Sequence, residues 1–270
     1  MTRRLSVYLG CTFALTYSAW GTLVFLAHQN KAAYGQILFM LLYAAGGLGP
    51  TVAAYVAVLS TKLEAPLAEF HRRLFRFRMP SRWYVVAVFL PVALTVAAEV
   101  LVMTVGSTDF RPFLAKPCFL FVPYWFGMVA GGGLEELGWR GIAQPELEKR
   151  FHRPVAALIV GSLWSVWHLP LFALPGVSQY GRNFPVFAAA LIGDAMILAW
   201  LCARTGSIFA CIMYHASENA AWAVVVGNQP QRVRAVALTS AGIRLAAGIL
   251  LAQSARSTKT EVAQGTMLHG

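Results

Sequence analysis

Long apolar stretches, separated by short polar ones, follow one another along nearly the whole chain. Eight of them approach or exceed the roughly 20 residues that a helix needs to cross the hydrocarbon core of a bilayer. The pattern predicts an all-α fold, a polytopic membrane helix bundle of about eight transmembrane helices. The predicted spans are Leu5–Leu26, Tyr34–Leu59, Trp83–Val105, Cys118–Trp139, Pro154–Leu174, Phe184–Ala203, Ser207–Val226 and Ala235–Leu251.

The composition agrees with a membrane protein and excludes several other classes. Apolar residues make up 58% of the chain and charged residues only 12%, with a mean hydropathy of +0.60. Average globular chains carry about 25% charged residues. A soluble enzyme and a disordered chain are therefore excluded, and so is a nucleic-acid binder, despite the formal net charge of +11.

The distribution of Lys and Arg predicts the orientation in the cell membrane. If the N-terminus is cytoplasmic, the inner segments carry 14 Lys and Arg and the outer loops carry six. Positive charge accumulates in cytoplasmic loops of multi-span proteins. We expect a multi-pass protein with both termini in the cytoplasm.

The loop Lys62–Arg82 is strongly basic and contains the run EFHRRLFRFRMPSRW. Phenylalanines interleaved with arginines are typical of a segment that lies on the membrane surface. Such a segment sets topology, or it gathers substrate at the inner leaflet.

The four cysteines lie in apolar stretches, and no C-x-x-C pair occurs. We expect small buried hydrophobes and neither a disulfide set nor a zinc site. They are Cys11, Cys118, Cys202 and Cys211.

Charged and polar side chains are scarce inside the predicted spans, and most fall into three clusters on three different spans. Each charge costs about 2.5–3.5 kcal/mol on insertion scales, so it persists where it pairs or functions. The clusters are GGGLEELGWRG with Glu135, Glu136 and Arg140, LWSVWHLP with His168, and MYHASENA with His215 and Asn219.

Helical spacing predicts which of these side chains share a face. Glu136 and Arg140 are i and i+4, so they can form an ion pair. Glu135 is rotated by about 100° from its neighbour and is free to meet another helix. His215 and Asn219 are again i and i+4, which places both on one face.

Together these groups suit peptide hydrolysis inside a membrane. A carboxylate and an imidazole that hold one water form a general base. A second His and an Asn can donate to the oxyanion of a tetrahedral intermediate, and low dielectric strengthens those bonds. Each cluster alone also fits a structural role, as an ion pair or an interhelical hydrogen bond. We expect Glu99 and Asp194 to be structural.

The ordered set resembles the CPBP family of CAAX proteases and bacteriocin-processing enzymes, also called the Rce1-like or Abi family. The likeness extends from about residue 46 to 226, including the phrases LGPTVAAYVAVL and RTGSIFACIMYH. The family's three motifs stand here as Glu135-Glu136-x-x-x-Arg140, Trp164-x-x-x-His168 and His215-x-x-x-Asn219.

The resemblance implies an intramembrane endopeptidase that cleaves membrane-associated peptides or CAAX-type proteins. It implies that Glu135 and His168 activate the water, and that His215 and Asn219 line the oxyanion site. Glu136 and Arg140 would orient that centre. The resulting division of the chain is an N-terminal transmembrane region 1–45, a protease core 46–226, a last helix 227–251 and a polar tail 252–270.

Two departures from the family pattern bear on the site. Trp164 stands where Phe is usual, and Glu218 adds a carboxylate beside Asn219 that could perturb His215 or favour a metal. Family members are often labelled metalloproteases, and His and Glu are acceptable zinc ligands. However, the chain has no His-Glu-x-x-His, and Arg140 beside the carboxylates disfavours a dication. We favour no cofactor, with zinc as the alternative.

Two other classes of function stay open. One is a non-catalytic membrane scaffold or bacteriocin-immunity protein on the same fold, since fold does not fix function. The other, less favoured, is an ion-coupled transporter, which predicts broken helices and internal repeats. The expected partners are a peptide or protein substrate at the inner leaflet and membrane lipid, and not nucleic acid. The sequence defines neither the substrate nor the oligomeric state.

Overall fold

The computed structural model describes residues 2–60, 66–105, 113–227 and 229–267, and the side chains of 2–60, 67–105, 113–227 and 229–253. All regular structure in these ranges is helical, which confirms the all-α fold. The α-helices are α1 (Arg3–His28), α2 (Ile37–Gly47), α3 (Gly49–Leu59), α4 (Pro66–Leu74), α5 (Ser81–Val105), α6 (Phe121–Gly131), α7 (Glu136–Gly138), α8 (Gln144–Glu148), α9 (Arg153–Trp167), α10 (Phe184–Thr205), α11 (Ile208–Ala221) and α12 (Pro230–Met267).

Six helices in the described part of the chain are long and apolar enough to cross a membrane, or seven if the bent pair α2–α3 is one span. The predicted count of eight is not confirmed. The predicted span Ser207–Val226 forms α11 and a π-helical turn, Trp222–Val226. Helix α11 has only 14 residues, of which 11 are buried, because it packs inside the bundle against α5, α6 and α10. It is an internal helix that carries polar groups.

Helices α2 and α3 meet at a bend of 41°, where both are in close contact with α1. The Thr16 hydroxyl donates to the carbonyl of Gly46 and accepts from the indole N–H of Trp167, both at 2.7 Å. Trp20 lies directly against Gly46, and Thr16 lies against Gly49, so a side chain at either glycine would overlap α1. The small residues between α2 and α3 allow this approach.

The segment that carries the paired glutamates is helical but irregular. After α6 the chain is extended at Gly132, where φ is −170°. It then passes through a 3₁₀ turn at Gly133–Glu135, the short α7 and a π-helical turn at Trp139–Ala143 before α8. The Thr51 hydroxyl of α3 donates to the carbonyl of Leu134 at 2.8 Å and supports the 3₁₀ turn. π-Helical turns are frequent at functional sites.

The two lone acids have structural partners, as predicted. Glu99 pairs with Arg232 at 2.7 Å, and Asp194 pairs with Arg244 at 2.5 Å. Arg244 also binds Glu218 at 2.9 Å, so the extra carboxylate of the third motif is held by α12. Arg244, which weakens the last predicted span in hydropathy, is thus paired inside the bundle.

The basic segment forms the short helix α4. Phe70 and Leu74 are buried, while Phe75 and Phe77 are exposed. Arg73 donates to the backbone carbonyls of Arg140 at 2.9 Å and Gly141 at 3.2 Å, which fixes this segment to the glutamate-bearing one. Residues 62–65 of the predicted loop lie outside the described residues.

Two sequence expectations need correction or extension. Cys118 is exposed, whereas Cys202 and Cys211 are buried as predicted, and all four cysteines are free. Helix α12 continues through residues 252–267, the segment predicted as a polar tail, and residues 268–270 lie outside the described residues.

Candidate functional site

Glu136 lies at the centre of a buried ion-pair cluster. Its carboxylate is 3.2 Å from Arg140 Nη1, the i,i+4 pair that the spacing predicts. The same carboxylate is 3.0 Å from His215 Nδ1, a contact that joins α7 to α11. Because a carboxylate only accepts hydrogen bonds from these partners, Nδ1 is the donor and Nε2 is the free nitrogen of His215. Glu136 and Arg140 are both fully buried.

Glu135 points away from this cluster, as its rotation around the helix predicts. Its Oε2 accepts a hydrogen bond of 2.7 Å from the indole N–H of Trp164 on α9. The side chain is 7% exposed. Among the described residues Oε1 has no hydrogen-bond partner, so it can take the proton of a bound molecule.

His168 caps the C-terminus of α9, one turn after Trp164. Its Nδ1 is 2.9 Å from the carbonyl of Trp164, and this carbonyl only accepts, so Nδ1 carries the proton. In the neutral ring Nε2 then holds the lone pair of a base. The ring contacts Trp167 and Phe187, with centroids 4.6 and 5.1 Å away.

His215 and Asn219 meet at the backbone of Gly132. A Cβ placed on Gly132 would be 2.6 Å from Asn219 Nδ2 and 3.0 Å from His215 Nε2. Both nitrogens therefore face the chain three residues before Glu135. Asn219 Nδ2 can donate to an oxygen there, and His215 Nε2 can do so when the ring carries both protons. A glycine at this position is required by the close approach and not by its φ.

Trp164 connects these groups and was not among the predicted site residues. Its ring lies 5.2 Å from that of His215 and 4.9 Å below the Arg140 guanidinium. The aromatic position of the motif was visible in the sequence, but its contacts depend on how α9 packs against α7 and α11.

The described side chains do not form a zinc-binding set. No three His, Cys, Asp or Glu residues in the described ranges come close enough together to hold a metal ion. Glu136 is already engaged by Arg140 and His215, and Glu218 is engaged by Arg244. The charges of both carboxylates are balanced by protein groups.

Fold and site define a polytopic helical membrane protein with a buried centre of carboxylates and imidazoles. Within it, residues 117–221 match the family model described as Type II CAAX prenyl endopeptidase Rce1-like. The chain is also 26% identical over 223 residues to CAAX prenyl protease 2 of Methanococcus maripaludis. That alignment covers 77% of this chain and 80% of the relative. The matches confirm the resemblance drawn from the three motifs and support a membrane protease.

Proposed function

We propose that this protein is an intramembrane endopeptidase that uses Glu135 and His168 to activate a water molecule. The observation that carries the proposal is the convergence of three separate helical segments around Trp164 and Gly132. Glu135 and His168 are both bonded to Trp164, and His215 and Asn219 both face Gly132. Acyl transfer needs this combination of a base and a donor pair.

Water activation uses Glu135 Oε1 and His168 Nε2, the two atoms of this pair that do not bond to Trp164. Glu135 Oε1 accepts a proton from the water, and the lone pair on His168 Nε2 holds it in line. The proton then passes from Glu135 to the leaving amine.

Oxyanion stabilisation follows from the second pair. Asn219 Nδ2 donates to the carbonyl oxygen of the scissile bond as it becomes negative. His215 Nε2 donates beside it when the ring carries both protons, a form that pairs with the Glu136 carboxylate. Arg140 binds the second oxygen of the Glu136 carboxylate and so holds this carboxylate against His215.

We also propose the substrate class and the orientation. The names of the matched family and of the Methanococcus relative refer to CAAX prenyl substrates, so a lipid-modified C-terminal peptide at the inner leaflet is the first substrate to test. Both termini lie in the cytoplasm by the charge distribution. The protease core comprises residues 46–226, with 1–45 and 227–251 as flanking transmembrane regions.

The direct test is hydrolysis by the purified chain in lipid nanodiscs. A farnesylated CAAX peptide and an unmodified apolar peptide are incubated in oxygen-18 water, and the products are analysed by mass spectrometry. The proposal predicts a new carboxyl terminus that contains one oxygen-18 atom, because water is the nucleophile. Intact peptides of both kinds, alongside a relative that cleaves under the same conditions, would contradict it.

Gly132→Ala is expected to lower the cleavage rate by about 100-fold. The methyl group would lie 2.6 Å from Asn219 Nδ2, so the oxyanion donors must shift. Gly131→Ala is the matched control, because its methyl group meets only Met128 Sδ at an ordinary 3.6 Å. Steady-state rates with the cleaved peptide compare the two variants, and equal rates would contradict the placement of the donors.

Removal of divalent metal is expected to leave the rate unchanged. The charge of Glu136 is balanced by Arg140 and His215, and that of Glu218 by Arg244, so neither carboxylate needs a dication. The purified chain is dialysed against 1,10-phenanthroline and assayed, with a zinc metallopeptidase treated in parallel as a positive control. A loss of activity that added zinc restores would refute the metal-free mechanism.

A further inference from the structure

Trp164 forms two different bonds to the two residues of the proposed water-activating pair. Its indole N–H donates to Glu135 Oε2 at 2.7 Å, and its backbone carbonyl accepts from His168 Nδ1 at 2.9 Å. One residue thereby orients the carboxylate through its side chain and the imidazole through its main chain. Trp164 is only 3% exposed, so water cannot replace the indole donor without movement of the helix.

From this geometry we propose that the indole N–H of Trp164 is a positioning group that aims the Glu135 carboxylate at the water. The inference rests on the proposed function. Phenylalanine, usual at this position in the family that the motifs resemble, has a similar ring but no hydrogen-bond donor. In this chain the aromatic residue of the motif therefore also donates a hydrogen bond to Glu135, which a phenylalanine could not do.

The environment of Glu135 explains why the bond matters. Among the described residues, Trp164 is the one donor to this carboxylate, since Arg140 is directed to the neighbouring Glu136. A carboxylate held at one oxygen by a single donor keeps its second oxygen free and fixed in direction. Without the donor the carboxylate rotates about its terminal torsion, which is broad for glutamate.

The other contacts of Trp164 fix the indole itself. The Arg140 guanidinium lies over the ring at 4.9 Å, and the rings of Trp139 and His215 lie 6.5 and 5.2 Å away. A cation over an indole face is attracted to it. These contacts therefore fix the direction of the indole N–H independently of its hydrogen bond to Glu135.

Trp164→Phe separates the two bonds, because it removes the N–H and keeps the main-chain carbonyl that holds His168. We expect kcat to fall about 10- to 100-fold, which corresponds to the free energy of one hydrogen bond to a charged group. We expect KM to change by less than about twofold. Trp20→Phe is the control. Trp20 is 2% exposed and donates to the Tyr43 carbonyl at 2.9 Å, so it loses the same buried N–H away from Glu135.

A readout independent of activity tests the bond itself. The eight tryptophans give indole N–H signals in the ¹⁵N-labelled protein in detergent micelles, and Trp164→Phe and Trp20→Phe assign two of them. Glu135→Ala is expected to shift the Trp164 signal and to leave the Trp20 signal in place. A Trp164 signal that does not respond would overturn the proposal.

The kinetic outcomes are equally decisive. A fall in kcat no larger than in Trp20→Phe, or a loss confined to KM, would show that Trp164 does not position the base. If the unaltered chain cleaves no peptide, the proposed function fails and the positioning role fails with it. In that case the indole signal still reports separately whether Trp164 binds Glu135.

Discussion

Glu135→Gln is expected to lower kcat by about 10²- to 10⁴-fold, the range that a positioned general base contributes. The amide keeps the size of the side chain and can still accept from Trp164, but it cannot take a proton from water. The loss falls on kcat, because Glu135 acts in the chemical step. Measurement of cleavage rates over a range of peptide concentrations in nanodiscs gives both parameters.

Glu148→Gln is the matched control for this substitution. Glu148 lies on α8, where it pairs with Arg153 at 3.1 Å, away from Trp164 and Gly132. We expect its activity to stay near that of the unaltered chain. The double variant Glu135→Gln, His168→Asn should lose little more than the stronger single variant, since groups that act as a unit are not additive. Equal activity of Glu135→Gln and Glu148→Gln would remove Glu135 from the mechanism.

Arg244→Met is expected to destabilise the protein by about 3 kcal/mol, because it leaves the buried Asp194 and the partly buried Glu218 without their cationic partner. Arg244 joins four helices of the bundle. It binds Asp194 of α10 and Glu218 of α11, and it donates to the hydroxyls of Thr95 on α5 and Ser240 on its own helix. The measurement is reversible unfolding in mixed micelles, followed by circular dichroism.

Two further variants separate this effect from a general loss of charge. Arg72→Met breaks an exposed pair with Glu69 at 2.8 Å, for which we expect at most about 1 kcal/mol. In contrast, Arg244→Met combined with Asp194→Asn and Glu218→Gln should regain part of the lost stability, since neutral groups are cheaper to bury. If Arg244→Met, Arg72→Met and the triple variant all have the same free energy of unfolding, Arg244 is not the partner of these acids.

Most of the long helices could be predicted from the sequence, because the hydropathy of a segment depends only on the residues it contains. The predicted spans Leu5–Leu26 and Phe184–Ala203 differ from α1 and α10 by two residues or fewer at each end. The predicted span Ser207–Val226 is not confirmed, since it is not among the helices that are both long and apolar enough to cross a membrane. Its residues are apolar enough for a span, but the helix packs within the bundle, and hydropathy does not distinguish lipid neighbours from protein neighbours.

The candidate site shows a similar division. The spacing of Glu136 and Arg140 predicted their ion pair, since i and i+4 residues share a helix face. The contacts of Glu136 with His215 and of Trp164 with Glu135 link different helices, so they depend on packing that no local pattern encodes. The irregular chain from Gly132 to Ala143 was also missed, because it contacts residues distant in sequence: Thr51 donates to the 3₁₀ turn and Arg73 donates to the π-helical turn.

The most direct measurement compares the new peptide termini in membranes of cells that contain either this protein or its Glu135→Ala variant at equal level. Mass spectrometry of the membrane fraction identifies N- and C-termini that depend on the protein. We predict termini that are present with the unaltered chain and absent with the variant, which would establish proteolysis and its base together. As a control, the cells also express the peptide that the purified chain cleaves. If the termini are then the same with both proteins, the result contradicts the account and favours a non-catalytic membrane scaffold.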